Sequence, residues 1–72
     1  MKLEKREITL NEYDSLQDTY YREKTLLEEY TATLLQAQRK EVKDTLLHLI
    51  CETAEEIFLL QDLLKTSKKT GA

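Results

Sequence analysis

Large, mainly apolar residues recur in the first half of the chain at Tyr13, Leu16, Tyr20, Leu27, Tyr30 and Leu34, in steps consistent with one face of an α-helix. A second line runs through Leu46, Ile50, Thr53, Ile57, Leu60 and Leu64. The two lines do not share a register. Continued by heptads from Leu34, the first lands on Glu41, Asp44, His48, Cys51 and Glu55, which form no stripe. The register changes between residues 35 and 42, and two helices explain that change. The pattern predicts one helix from about residue 11 to about 37 and a second from about 40 to 66. At 1.5 Å per residue each is on the order of 40 Å long. One continuous helix is the rival, and it requires the seam to change faces midway.

Folding the chain antiparallel about residues 38 and 39 sets Leu27 opposite Ile50, Tyr20 opposite Ile57 and Tyr13 opposite Leu64. The stripes then match along their length. Thr9-Leu10-Asn11-Glu12 has the spacing of a capping box at the start of the first helix, with Asn11 as a competing cap. The organisation read from this is a charged lead over 1–10, a hairpin over 11–66 and a flexible basic tail over 67–72. The second helix also carries Leu47, Leu49, Ala54, Phe58, Leu59 and Leu63, more apolar surface than one neighbour covers. The expected fold is therefore all-α: an antiparallel hairpin that dimerises into a four-helix bundle. Phe58 joins the two central lines in the expected interface.

Composition sharpens this picture. Seventy-two residues make one small domain, and such a chain buries only roughly 60% of its unfolded surface alone. Charged residues are 35% of the chain, there is no proline, and Gly71 is the one glycine, which suits a nearly all-helical chain. A single cysteine, Cys51, allows no internal disulfide and fits a reducing compartment. The net charge is −3 and the charges are mixed, so no basic stripe invites nucleic acid. The uncharged runs LLHLIC and IFLLQ fall far short of the ~20 residues of a membrane span, and MKLEKREITL is no secretory signal. The expected location is the cytoplasm, and the expected partner is the chain itself or another helical protein.

Candidate chemistry centres on Glu23, the one carboxylate in the first stripe. In the hairpin it lies level with Thr53 and Ala54. Three roles compete for it. It can lie at the seam edge and reach water, beside Lys24 or Arg22 of a partner. It can form a buried polar layer that sets register. Or it can bind a metal with Glu56, which flanks the second line. Carboxylate-bridged iron or manganese sites in bundles need a Glu-x-x-His pair; here the spacing is met by Glu52 and Glu55, with no histidine. His48 and Cys51 make at most half a zinc site, and Cys51 is expected to be a partly buried free thiol. No nucleophile–base pair and no phosphate loop is present, so no catalytic residue and no cofactor is expected, and the chain is not expected to be an enzyme.

The run EKTLLEEYTATLLQAQRKEVKDTLLHLICETAEEIFLLQDLLK, residues 23–65, resembles the spore coat protein F family. The likeness rests on Glu23-Lys24, Tyr30, Ala37, Glu41-Val42-Lys43 in place of Glu-Leu-Arg, Thr45, Glu52, and the closing Phe58, Asp62 and Leu64-Lys65. It covers 43 of 72 residues. The resemblance implies a ferritin-like helix pair, a rubrerythrin-like ancestry in spore-forming bacteria and a spore-associated location. It also implies that Glu23 takes the place of the metal-binding glutamate of the first helix. The chain departs from the family where a histidine is expected near Ile57, and it lacks the Gly-Trp-Tyr ending. A divergent member that has lost its metal centre is the reading that follows. The expected function is a small non-enzymatic assembly or structural protein. The alternatives are a ferritin-like iron or manganese protein with ligands from two chains, and a regulatory adaptor docking on a larger partner.

Overall fold

The computed structural model describes residues 6–70. They form β1 (Arg6–Thr9), α1 (Leu10–Gln36), α2 (Lys40–Thr66) and β2 (Ser67–Thr70). The helices pack against each other as an antiparallel hairpin, and the single-helix alternative is set aside.

The start of α1 follows from its sequence. Thr9 is the N-cap: its hydroxyl accepts from the Glu12 backbone N–H at 3.1 Å, and the Thr9 N–H donates to the Glu12 carboxylate at 3.0 Å. Two backbone donors at the helix start are thereby satisfied, and Asn11 lies inside the helix. At the other end Ala37 donates its N–H to the Leu34 carbonyl. Ala37 and Arg39 are both extended, and no described residue has a positive φ. The turn between helices thus needs neither glycine nor proline, which is why only the register change marks it. Threonines that interrupt the helices return their hydroxyls to the carbonyl four residues back, as Thr25 does to Tyr21 and Thr45 to Glu41.

The predicted stripes form the seam. Tyr13, Leu16, Tyr20, Glu23, Leu27, Tyr30 and Leu34 are all half-buried. On α2, Leu46, Thr53 and Ile57 are only 8%, 6% and 7% exposed, while Ile50, Leu60 and Leu64 are half-buried. These three α2 residues are the only buried ones among the described residues.

The two short strands were not expected. β1 and β2 pair in parallel, Arg6 beside Ser67 through Thr9 beside Thr70. Strands that continued straight from an antiparallel helix pair would themselves be antiparallel. The parallel pairing therefore requires a turn at a helix end, and the extended caps Thr9 and Ser67 are where the backbone leaves helical geometry. The lead and tail of the sequence reading thus include residues held by ladder hydrogen bonds, not only loose ends. Leu10, the last residue of the lead, begins α1, and residues 1–5 and 71–72 lie outside the described residues.

The molecule measures 50 × 28 × 12 Å. Its thinnest dimension is about one helix diameter, so the hairpin is a single layer. Domains ordinarily pack two or three layers around a core. The chain exposes 5911 Å², whereas a compact monomer of 8.5 kDa would expose about 4,700 Å².

Candidate functional site: a carboxyl pair across the helices

Glu23 lies on the seam of α1, and Glu56 lies on the flank of α2. The two side chains form a hydrogen bond between the helices. The pairing falls slightly nearer the open end of the hairpin than the level match with Thr53 and Ala54 suggests. Side-chain direction explains the offset. Each side chain leans toward the N-terminus of its own helix, so in an antiparallel pair Glu23 and Glu56 lean toward each other.

Withdrawal from water pushes the Glu23 carboxyl above the ordinary glutamate range, the hydrogen bond with Glu56 and the negative charge of Glu56 add to this, and Arg22 opposes it. Two carboxylates in contact cannot both ionise freely. When Glu23 carries its proton, it is the partner placed to donate to the Glu56 carboxylate. The contact joins α1 to α2 within the chain at this level.

Lys24 takes no part in it. Its ammonium lies 5.1 Å from the centre of the Tyr20 ring and 5.9 Å from that of Tyr21. The rings are tilted at 54° with centroids 5.5 Å apart. Gln61 donates its Nε2–H to the Tyr20 hydroxyl at 3.1 Å, tying the same edge of α1 to α2. The hairpin thus has two distinct faces. One carries Tyr20, Tyr21, Lys24 and Gln61, and the other carries Glu23 with Glu56.

The remaining candidates are scattered. Glu52 and Glu55 are exposed, in keeping with their position away from the seam. His48 pairs through Nε2 with the Glu52 carboxylate on the outer side of α2, not with Cys51. Cys51 is exposed rather than partly buried, because it lies beyond the flank of the seam on the tyrosine side. Phe58 is 65% exposed in the single chain, outside the hairpin seam. No group of three or more His, Cys, Asp or Glu able to hold a metal occurs among the described residues. Carboxylate oxygens suit manganese, magnesium or iron, and Glu23 with Glu56 is the one pair among the predicted ligands that the fold brings together. No described helix is long and apolar enough to cross a membrane.

What sequence reading missed was the direct contact of Glu23 with Glu56 and the engagement of Lys24 by the tyrosines. The flank position of Glu56 was the available signal for the first, and the i, i+4 and i, i+3 spacing of Lys24 from Tyr20 and Tyr21 for the second. Compared with protein-family models, curated proteins and solved structures, the chain finds no match.

Proposed function

We propose that the chain is a small non-enzymatic assembly protein that acts as a homodimeric four-helix bundle, through protein–protein contacts like those of the spore-coat-associated proteins it resembles. The observation that carries this reading is the single-layer shape. The chain exposes 5911 Å², about 1,200 Å² more than a compact monomer of its mass. A standard interface buries about 800 Å² per partner, so a second hairpin docked through one would account for about two thirds of the excess. Sedimentation equilibrium tests it. A mass of two chains supports the reading; a folded, fully helical monomer at micromolar concentration sinks it.

A second reading is a ferritin-like iron or manganese protein, with ligands drawn from two chains. The contact of Glu23 with Glu56 favours it, because a two-fold dimer would supply a second such pair. Elemental analysis of protein loaded with iron or manganese tests it. Metal bound by the wild type and lost in Glu23→Ala supports the reading, and a metal-free wild type ends it.

A further inference from the structure

Each helix has two flanks beside its seam, and the flanks differ in chemistry. On α2, Val42, Leu49, Glu56 and Leu63 recur at every seventh position on one side. On α1, Glu12, Thr19, Leu26 and Thr33 recur in the same way on the side that meets them. The Glu23–Glu56 contact marks this face. Apart from Glu56, and Glu12 in the first turn of α1, these positions carry no charge. Leu26, Leu49 and Leu63 are already half-buried, so the apolar seam widens toward this side. A shallow groove lined by Glu41, Val42, Thr45 and Leu46 opens at its loop end, and another lined by Ile8, Asn11, Glu12, Ser15, Leu16 and Thr19 lies near its open end.

The opposite face is broken up. Its flanks carry Gln17, Lys24 and Thr31 on α1 and Leu47, Ala54 and Gln61 on α2. Large exposed residues do occur there: Tyr21 and Leu35, Leu47 and Phe58. They stand among polar neighbours, and Lys24 covers the tyrosine rings. An isolated exposed apolar side chain is ordinary on a protein surface, whereas a continuous heptad flank beside a seam is what a bundle core requires.

We infer that a second copy of this chain lies across the face bearing Glu23 and Glu56, packing on Leu26, Val42, Leu49 and Leu63, and that the tyrosine face remains in water. The inference rests on the homodimer reading and names its surface. A second copy is the occupant because the excess of exposed area per chain exceeds what one side of a standard dimer buries. The same heptad flank is present on both copies, as an isologous contact demands. The polar layer of the dimer then holds two carboxyl pairs, and a slipped register would set each pair against leucine. The pairs therefore fix the alignment of the two hairpins.

The single native cysteine provides the test. Cys51 is exposed and lies beyond the α2 flank of the tyrosine face. Thr33 is exposed on the other face. Thiol reactivity toward a bulky maleimide is measured against protein concentration for the wild type and for Thr33→Cys in a Cys51→Ser chain, with mass followed by sedimentation. The expected result is a doubling of mass over which the Thr33→Cys thiol loses its reactivity and Cys51 keeps its own. Thr45→Cys, also exposed beyond the α2 flank of the carboxyl face, replaces Thr33→Cys if that variant loses helicity. A dimer that protects Cys51 instead overturns the choice of face but leaves the homodimer standing. A dimer that protects neither thiol, or both, also overturns it. A chain that never doubles its mass overturns the homodimer itself.

Discussion

Glu23 on α1 meets Glu56 on α2 across the helix pair, and withdrawal from water, the hydrogen bond with Glu56 and the Glu56 charge together hold the Glu23 carboxyl above the ordinary glutamate range. The folded chain holds the Glu23 proton more tightly than the unfolded chain, whose glutamate titrates near the ordinary value of 4.5. The folded state therefore binds more protons in the window between 4.5 and the raised folded value. Stability from the pair is complete below the unfolded value and is lost as pH rises through the folded one. Thermal melts of wild type and Glu23→Gln across about pH 4 to 7 check this. The wild-type Tm is expected to fall relative to the glutamine variant as pH rises. A constant difference between the two would remove the shared proton from the account.

Replacing Glu23 by leucine removes the desolvated carboxyl and continues the stripe of Leu16 and Leu27. Glu56 is exposed on its own flank and regains water when its partner goes. Exchanging a partly desolvated ionisable residue in an apolar seam for a well-packed apolar one is commonly neutral or stabilising. Glu23→Leu is expected to gain about 1 kcal/mol, a rise in Tm of about 4–8 °C for a domain of this size. The cost falls on alignment. In the dimer the variant is expected to lose the single register set by the carboxyl pairs, seen as broadened amide resonances. A lower Tm would mean that the glutamate makes the seam more stable than packing alone.

Ile57 and Phe58 are neighbours in sequence and differ sharply in surroundings. Ile57 is 7% exposed and completes the seam, while Phe58 stands on the outer side of α2. Ile57→Ala is expected to cost at least about 2 kcal/mol, the lower end for deleting a buried aliphatic side chain. Phe58→Ala is expected to change stability by no more than about 0.5 kcal/mol. Urea titrations of the two variants give the comparison. If Phe58→Ala costs as much as Ile57→Ala, a second copy covers the tyrosine side after all.

The same pair shows how far the sequence could be read. Ile57 falls on a line of heptad spacing, and such a line specifies both a helix and the direction it faces. The register change after residue 35 revealed two helices even though Ala37 and Arg39 turn the chain in ordinary extended geometry. Glu23 was legible as an exception within its stripe, and Glu56 as a flanking carboxylate. Their contact was not, because it depends on how two side chains lean in an antiparallel pair. The parallel pairing of Arg6–Thr9 with Ser67–Thr70 was invisible for another reason. The segment Ser67-Lys68-Lys69-Thr70 has no alternation of apolar and polar residues, and lysine is depleted in strands. That pairing follows from bringing both hairpin ends together, which only the tertiary fold decides.

Thr9 and Glu12 close the first turn of α1 by two reciprocal hydrogen bonds. Their loss leaves two backbone N–H donors without these partners. Thr9→Ala is expected to cost about 1 kcal/mol, whereas Asn11→Ala, inside the helix, lies within about 0.5 kcal/mol of wild type. The cap also responds to acid. The Thr9 backbone N–H, with the Thr9 hydroxyl, holds the Glu12 carboxyl below its ordinary value of 4.5, against a small opposing effect of desolvation. A lowered folded value places this contribution above the unfolded value and removes it as pH falls through the folded one. The sign is opposite to that of Glu23. Glu12→Gln is therefore expected to lose stability near neutral pH and to approach wild type in acid, while Glu23→Gln diverges from wild type as pH rises. Melts of the two single variants and the double variant separate the contributions, since the residues are far enough apart to act independently. Parallel pH profiles for both variants would overturn the assignment of the two carboxyls to different hydrogen-bonding roles.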